Sequence, residues 1–147
     1  MILIGIDPDI HKSGIAFYEK GKNILEVSNM SFFQIFDYLS WLKKENESFN
    51  PKYGMKVILE AGWLNKKSNW HNEKKGVGVA SRIGKNTGSN HETGRKIEEM
   101  LQYLNIPYEL RKPIASKVDQ KYFRQITGMM KETNQDQRDA AMLVWGY

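Results

Sequence analysis

Two apolar runs in this chain of 147 residues each end in a carboxylate. The first run, at positions 2–6, stops at Asp7, and the run that begins at Lys56 reaches Glu60. Both runs are typical of strands that are covered on two faces of a sheet. A carboxylate at the end of a buried strand is costly unless a hydrogen bond, a cation or a metal ion pairs with it. The two side chains are therefore candidates for a binding or catalytic site.

Two further acids, Asp136 and Asp139, lie near the end of the chain. Their i, i+3 spacing places both on one face of a predicted final helix, within its first turn. Taken singly, every one of the four acids has an ordinary explanation. Asp7 suits a turn, Glu60 suits a lysine partner, Asp136 suits a helix cap, and Asp139 suits a surface ion pair with Arg138.

All four carboxylates meet if the two strands are neighbours and the final helix packs at their ends. Such a cluster repels itself strongly without cations. Hard divalent cations prefer oxygen ligands, and Mg²⁺ is the usual choice. Two such ions, about 3.5–4 Å apart, activate a water and stabilise the leaving oxygen in phosphodiester cleavage. The acids therefore favour a metal-dependent phosphodiesterase.

The elements that must position these acids follow from periodicity and capping signals. Strands over 2–6, 14–19 and 24–30 form an antiparallel meander, and Ser31 with Gln34 fits a capping box for a helix that ends near Lys43 and Lys44. Next come a strand over 56–62, a helix from about 89, a strand over 107–110, and helices over 117–127 and 134–146. This order predicts an α/β fold with a mixed five-stranded sheet and helices on both faces.

A basic segment between positions 61 and 96 contrasts with the rest of the chain. It holds eight basic and two acidic residues, whereas the whole chain carries a net charge of only +5. Concentrated positive charge is typical of a surface that binds a polyanion, and a solvated loop is the alternative. Residues 62–88 lack apolar periodicity and contain five glycines, which predicts a long loop.

Composition excludes several classes of site. The absence of cysteine excludes disulfides, thiolate metal sites and cysteine nucleophiles. His11, His71 and His91 lack the spacing of metal ligands. No apolar run approaches the ~20 residues of a membrane span, and no signal peptide is recognisable at the start. We expect a soluble, cytoplasmic protein, either in a bacterium or in the host of a phage.

Three segments are similar to the RuvC-type Holliday junction resolvases of the ribonuclease H-like superfamily. Their first strand, turn and second strand resemble IGIDPDIHKSGIAFYE, and their second acidic strand resembles VILEAG. Their closing helix, with two aspartates three residues apart before an apolar stretch, resembles DQRDAAMLV. The shorter phage and prophage members are particularly similar to NQDQRDAAMLV. Order and spacing agree over nearly the whole chain.

The resemblance implies a single ribonuclease H-like nuclease domain over 1–147, with a basic DNA-binding loop at about 62–88. It implies a homodimer that acts on four-way junctions and leaves 5′-phosphate and 3′-hydroxyl ends. Two Mg²⁺ ions, with Mn²⁺ as a substitute, are implied in each active site. Their implied ligands are Asp7, Glu60, Asp136 and Asp139.

A basic residue before the final helix assists catalysis in this family. Lys117 lies at the matching place, with Lys112 and Lys121 as competitors. Asp9, where the family commonly has glycine, is either a group that supports the metal ligands or a turn residue, and we favour the turn. An aromatic residue of the basic loop is implied to open the junction centre, and we assign this role to Trp70, with Trp63 as the alternative. The predicted DNA contacts are Trp63, Lys66, Lys67, Trp70, Lys74, Lys75, Arg82, Lys85, Arg95, Lys112 and Lys121.

Three other functions are compatible with parts of this pattern of acids, strands and turns. Another ribonuclease H-like nuclease or a transposase-type enzyme has the same order of acids. Actin-like and sugar-kinase ATPases also begin with a strand, an aspartate and a glycine turn, but they duplicate the domain and need more than 147 residues. A non-catalytic junction-binding module gains nothing from clustered carboxylates. We rank the junction resolvase first.

Overall fold

The computed structural model describes residues 1–49, 54–65 and 77–147, apart from the side chains of 48, 49, 77–84 and 86. The strands are β1 (Ile2–Asp7), β2 (Ser13–Glu19), β3 (Ile24–Met30), β4 (Met55–Glu60) and β5 (Tyr108–Arg111). The helices are α1 (Phe32–Phe49), α2 (Val77–Tyr103), α3 (Gln120–Thr127) and α4 (Gln135–Val144), with a 3₁₀ turn at Gly62–Leu64. Within the described ranges, no helix is both long and apolar enough to cross a membrane.

The strands form one sheet in the order β3-β2-β1-β4-β5. The pairs β1–β2 and β2–β3 are antiparallel, which confirms the predicted meander. The pairs β1–β4 and β4–β5 are parallel, as expected for strands that are connected through helices. The predicted α/β fold with a mixed five-stranded sheet is confirmed.

Each face of the sheet is covered by its own pair of helices. Ile4 and Ile6 of β1 point to the core that α1 and α2 close, whereas Leu3 points to the core that α3 and α4 close. Successive side chains of a strand point to opposite faces. Leu59 of β4 lies in the first core and Ile58 lies in the second. Both central strands are therefore apolar on two faces, which explains their continuous apolar sequences.

Helix α4 lies unusually close to β1 and β2. A Cβ atom added to Gly5 would overlap the carbonyl oxygen of Ala140, and one added to Gly14 would overlap the carbonyl oxygen of Asp136. Glycine within a strand often marks such a close approach of another backbone. The two glycines therefore allow α4, which carries two of the four acids, to pack this closely against the sheet.

Capping groups fix three helix ends at the predicted places. Ser31 and Gln34 form the predicted capping box of α1 through reciprocal hydrogen bonds of 2.9 and 3.4 Å. Asn134 caps α4, also in a capping box with Gln137. Gly128 ends α3 in the left-handed conformation, with φ of 73°.

Three predicted helix boundaries were wrong. Helix α2 begins at Val77 and not near Ser89, so the second half of the predicted 62–88 loop is helical. The Ser89 hydroxyl does not cap a helix but donates to the Lys85 carbonyl inside α2. The N-terminal part of α2 contains several glycines and has weak apolar periodicity, so the sequence did not predict a helix there. Helix α1 continues past Lys43 to Phe49, and α3 begins only at Gln120.

Candidate active site

Asp7 and Glu60 lie side by side at one edge of the sheet. The strands β1 and β4 are parallel, and Ile6 is paired with Leu59 immediately before the two acids. The alternation of side chains along each strand directs both carboxylates to the face that α4 covers. Two parallel strands that end in acids therefore suffice to bring this pair together.

Helix α4 adds the other two acids to the same place. Asp136 lies in its first turn, where its backbone packs over Gly14, and Gly14 is the residue of β2 that pairs with Asp7. Asp139 lies one turn later and is only 8 % exposed. The four acids, from here on called the carboxylate cluster, line one cleft of about 380 Å³.

The electrostatics of the cluster show unbalanced negative charge. Burial, together with the charges of Glu60, Asp139 and Asp136, raises the pKa of Asp7 to about 8, against the opposing effect of Lys117. Burial and Asp139 also raise the pKa of Glu60, although Lys117 and a hydrogen bond with Asp7 oppose the rise. Each ionised acid makes ionisation of the next one harder. The cluster is therefore short of positive charge.

Asp136 is subject to the same repulsion. Burial, Asp9 and Asp139 raise its pKa, and Lys117 again opposes the rise. The helix terminus alone would favour the ionised form in the first turn of α4. Here burial and neighbouring acids outweigh that effect.

Among the described residues that line the cleft, Lys117 is the one lysine or arginine. Its ammonium forms an ion pair with Oδ2 of Asp139, and its side chain lines the cleft. Burial opposes its charged form, but the hydrogen bond to Asp139 and the charges of Asp139, Glu60 and Asp7 together raise the pKa of Lys117. Lys112 and Lys121, the two competitors, are exposed side chains that do not line the cleft.

The donor set is of the type that hard divalent cations bind, because it consists of carboxylates. In residues 1–49, 54–65 and 77–147, however, no three acidic, histidine or cysteine side chains lie close enough together to hold an ion. Lys117 occupies one oxygen of Asp139 in this arrangement. The four acids are therefore chemically suited to bind Mg²⁺. In this structure they lie too far apart for three of them to bind one ion.

Asp9 acts as a turn residue, as interpreted from the sequence. Its Oδ1 accepts from the backbone N–H groups of His11 and Lys12, at 2.8 and 3.3 Å. Its Oδ2 accepts from the Asn90 amide at 3.4 Å, and Oδ1 of Asn90 in turn accepts from the N–H of Ile10 at 3.1 Å. The turn after β1 is thereby joined to α2.

Among the predicted DNA contacts with described side chains, Trp63 is the one that lines the cleft. It also packs against the core, with the Arg95 guanidinium 5.8 Å above its ring. Lys85 and Arg95 are exposed on α2. The Arg82 side chain lies outside the described residues. The same holds for Lys66, Lys67, Trp70, Lys74 and Lys75.

Sequence reasoning missed several cleft residues. Gln135 lines the cleft and donates to Oδ1 of Asp139 at 2.8 Å. Gln135 lies four residues before Asp139, and this spacing could have predicted that the two side chains share one helix face. Thr87, Asn90 and His91 form the α2 wall of the cleft. No local signal pointed to them, because they reach the cleft only through the packing of α2.

The surface ion pair with Arg138, which was the ordinary alternative explanation of Asp139, does not form. Among the described residues, the Arg138 guanidinium bonds to backbone carbonyls and neutral side chains only, and Asp139 pairs with Lys117. Neighbours in sequence on a helix point in different directions, so the two side chains diverge.

Comparisons with known proteins give two similar solved structures. No family model and no curated protein matches the sequence. T. thermophilus RuvC in complex with a Holliday junction substrate is 17% identical, with a TM-score of 0.49, over 97% of this chain and 89% of that one. The Fowlpox virus resolvase in complex with Holliday junction DNA is 14% identical, with a TM-score of 0.33, over 87% of this chain and 72% of that one. Both alignments cover most of this chain.

Proposed function

We propose that this protein is a Mg²⁺-dependent endonuclease that resolves four-way or other branched DNA junctions. The observation that carries the proposal is the carboxylate cluster, in which acids from β1, β4 and α4 line one cleft beside Lys117. Carboxylates are costly to bury together, and a polyanion alone gives no reason to collect them. A cation that also binds a phosphate supplies that reason.

Asp7, Glu60, Asp136 and Asp139 would hold the ions, with Mn²⁺ able to replace Mg²⁺. Bound in pairs, such ions supply an activated water and stabilise the departing oxygen of a phosphodiester. The protein contributes the fixed positions of its four acids and the ammonium of Lys117, which balances part of their charge. The Lys117 side chain, which lines the cleft, is 52 % exposed, so solvent reaches the cleft beside the cluster.

DNA binding is assigned to the basic segment between positions 61 and 96. Lysines and arginines neutralise phosphates without reading sequence, and an exposed aromatic side chain stacks on an unpaired base with about 1–3 kcal/mol. Arg95 and Trp63 lie together beside the cleft. Trp70 remains our candidate for opening the junction centre, with Trp63 as the alternative. The resemblance of the three acidic segments to RuvC-type resolvases supports a branched substrate and a homodimer.

A cleavage assay with three substrates tests the proposal. Labelled four-way junction, matched duplex and single strand are incubated with Mg²⁺, with Mn²⁺ or with EDTA, and Asp7→Asn is run alongside. We expect paired nicks in the junction alone, lost with EDTA and in the variant. Equal cutting of duplex and single strand would point to a general nuclease of the same superfamily. Tight junction binding without cutting in either metal would overturn the catalytic claim and leave a binding module.

Lys117→Met is expected to bind Mn²⁺ more tightly than the wild type, by about tenfold or ~1.4 kcal/mol. The substitution removes the ammonium that competes for Oδ2 of Asp139 and offsets the charge of the other acids. Calorimetric titration of the DNA-free protein measures the affinity. Lys112→Met, at an exposed position outside the cleft, is the matched control. Equal or weaker binding by Lys117→Met would contradict this account of the lysine.

A further inference from the structure

Both carboxylate oxygens of Asp139 have a partner. Oδ2 pairs with the Lys117 ammonium, and Oδ1 accepts from the Gln135 amide at 2.8 Å. The carboxylate is buried, so water does not compete freely for these oxygens. The terminal torsion of an aspartate has broad, weakly defined minima, so hydrogen-bond partners decide its orientation. Gln135 is the neutral partner, and it bonds to the oxygen that Lys117 does not occupy.

The Gln135 amide is held in one orientation by Arg138. Its Oε1 accepts from Nη2 of Arg138 at 2.9 Å, while its Nε2 faces Asp139. An arginine side chain has donors only, so it can pair only with the oxygen of the amide. The arginine therefore forces the NH₂ group of Gln135 towards the carboxylate. A glutamine rotated by 180° would place its oxygen against Asp139 and lose both bonds.

Arg138 is itself anchored away from the cleft. Its Nε donates to the Val118 carbonyl at 2.8 Å, and its Nη1 donates to the Thr133 carbonyl at 2.5 Å. Nη1 also lies 3.3 Å from Oε1 of Gln120. These contacts join α4 to the segment that carries Lys117. The guanidinium is thus fixed on one side, and its remaining donor is available to Gln135.

We propose that Arg138 and Gln135 form a relay that fixes the orientation of the Asp139 carboxylate for a metal ion. Both are positioning residues, because Arg138 acts through Gln135 and Gln135 acts through Asp139. Partners of this kind orient metal ligands, and their loss typically costs about 10–100-fold in metal affinity. The inference rests on the proposed function, in which Asp139 is a ligand. It adds the two residues that prepare that ligand.

Calorimetric titration of the DNA-free protein with Mn²⁺ tests the relay. Gln135→Met keeps the length of the side chain but removes its bonds to Asp139 and Arg138 and a longer one, of 3.5 Å, to the Val118 carbonyl, and we expect about 10–100-fold weaker binding. Arg138→Lys keeps the charge but loses the fork of donors, and we expect a smaller loss. The double variant should bind no more weakly than Gln135→Met alone, since Arg138 acts on the ligand through that glutamine. Gln125→Met, exposed on α3, is the control.

Unfolding curves of the same variants separate the relay from a purely structural role. The double variant should be less stable than either single variant, because Arg138 also holds Val118 and Thr133, whereas its affinity loss should not exceed that of Gln135→Met. If Gln135→Met does not fold, Gln135→Asn takes its place, because its amide is one methylene too short to reach both partners. Additive losses of affinity would overturn the relay.

The remaining outcomes distinguish the relay from the proposed function. If the wild type binds Mn²⁺, Asp139→Asn does not, and Gln135→Met binds like the wild type, the relay is wrong and the proposed function stands. If the wild type and Asp139→Asn both fail to bind, the proposed function is wrong, and the relay is wrong with it.

Discussion

Asp7→Asn is expected to abolish metal-dependent cleavage and, in EDTA, to make the protein more stable than the wild type at pH 8. The folded protein raises the pKa of Asp7 from 3.8 to about 8, with burial as the largest cause and Glu60 next. Between these values the unfolded chain is ionised at this residue while the folded protein keeps its proton. The unfolded state thus binds fewer protons, and wild-type stability falls as pH rises from about 4 to about 8.

The size of the effect follows from the shift. Linkage gives at most ~1.4 kcal/mol for each pH unit in this window, so the variant gains up to a few kcal/mol relative to the wild type at pH 8. Asparagine has nearly the same shape and carries no charge, so it removes the repulsion between positions 7 and 60. Urea unfolding in EDTA at pH 5 and pH 8 measures the difference, which should be larger at pH 8.

Metal addition reverses the order of stability. Mg²⁺ should stabilise the wild type and leave Asp7→Asn nearly unchanged, because a cation stabilises the form that binds it. Asp37→Asn, at an exposed acid of α1, serves as the control and should show neither effect. If Asp7→Asn is less stable than the wild type at pH 8 in EDTA, Asp7 is not destabilised by burial and repulsion as described.

Gly14→Ala is expected to destabilise the protein by about 3 kcal/mol or more and to displace Asp136. The added methyl group would overlap the backbone of Asp136, which cannot rotate away as a side chain can. Overpacking of a well-packed core typically costs about 1–3 kcal/mol, and contact with a helix backbone belongs at the upper end. The helix must move outwards, and it carries two acids of the carboxylate cluster with it.

Urea unfolding and Mn²⁺ titration under folding conditions measure the two effects together. Gly5→Ala, which would overlap the Ala140 backbone, should behave similarly. Gly21→Ala is the matched control, because no atom lies within 4 Å of its added Cβ. Unchanged stability and metal affinity in Gly14→Ala would show that α4 does not pack against the sheet as closely as described.

The sequence by itself determined the strands, the sheet type and the four acids. Strand β3 was predicted with its bounds, and the capping box of Ser31 and Gln34 marked the start of α1. These features depend on periods of two residues and on contacts within four residues. The positions of Asp7 and Glu60 at strand ends were readable for the same reason.

Only the tertiary structure decided which face each acid uses, which lysine joins them and where α2 begins. The segment between β5 and α3 places Lys117 beside Asp139, whereas Lys112 and Lys121 lie outside the cleft. The glycine-rich first half of α2 has little intrinsic helix propensity, so local patterns did not indicate a helix there. Gln135 and Arg138 matter because α4 packs against distant segments. Local patterns encode backbone preference, whereas a site is assembled by long-range packing that no short stretch contains.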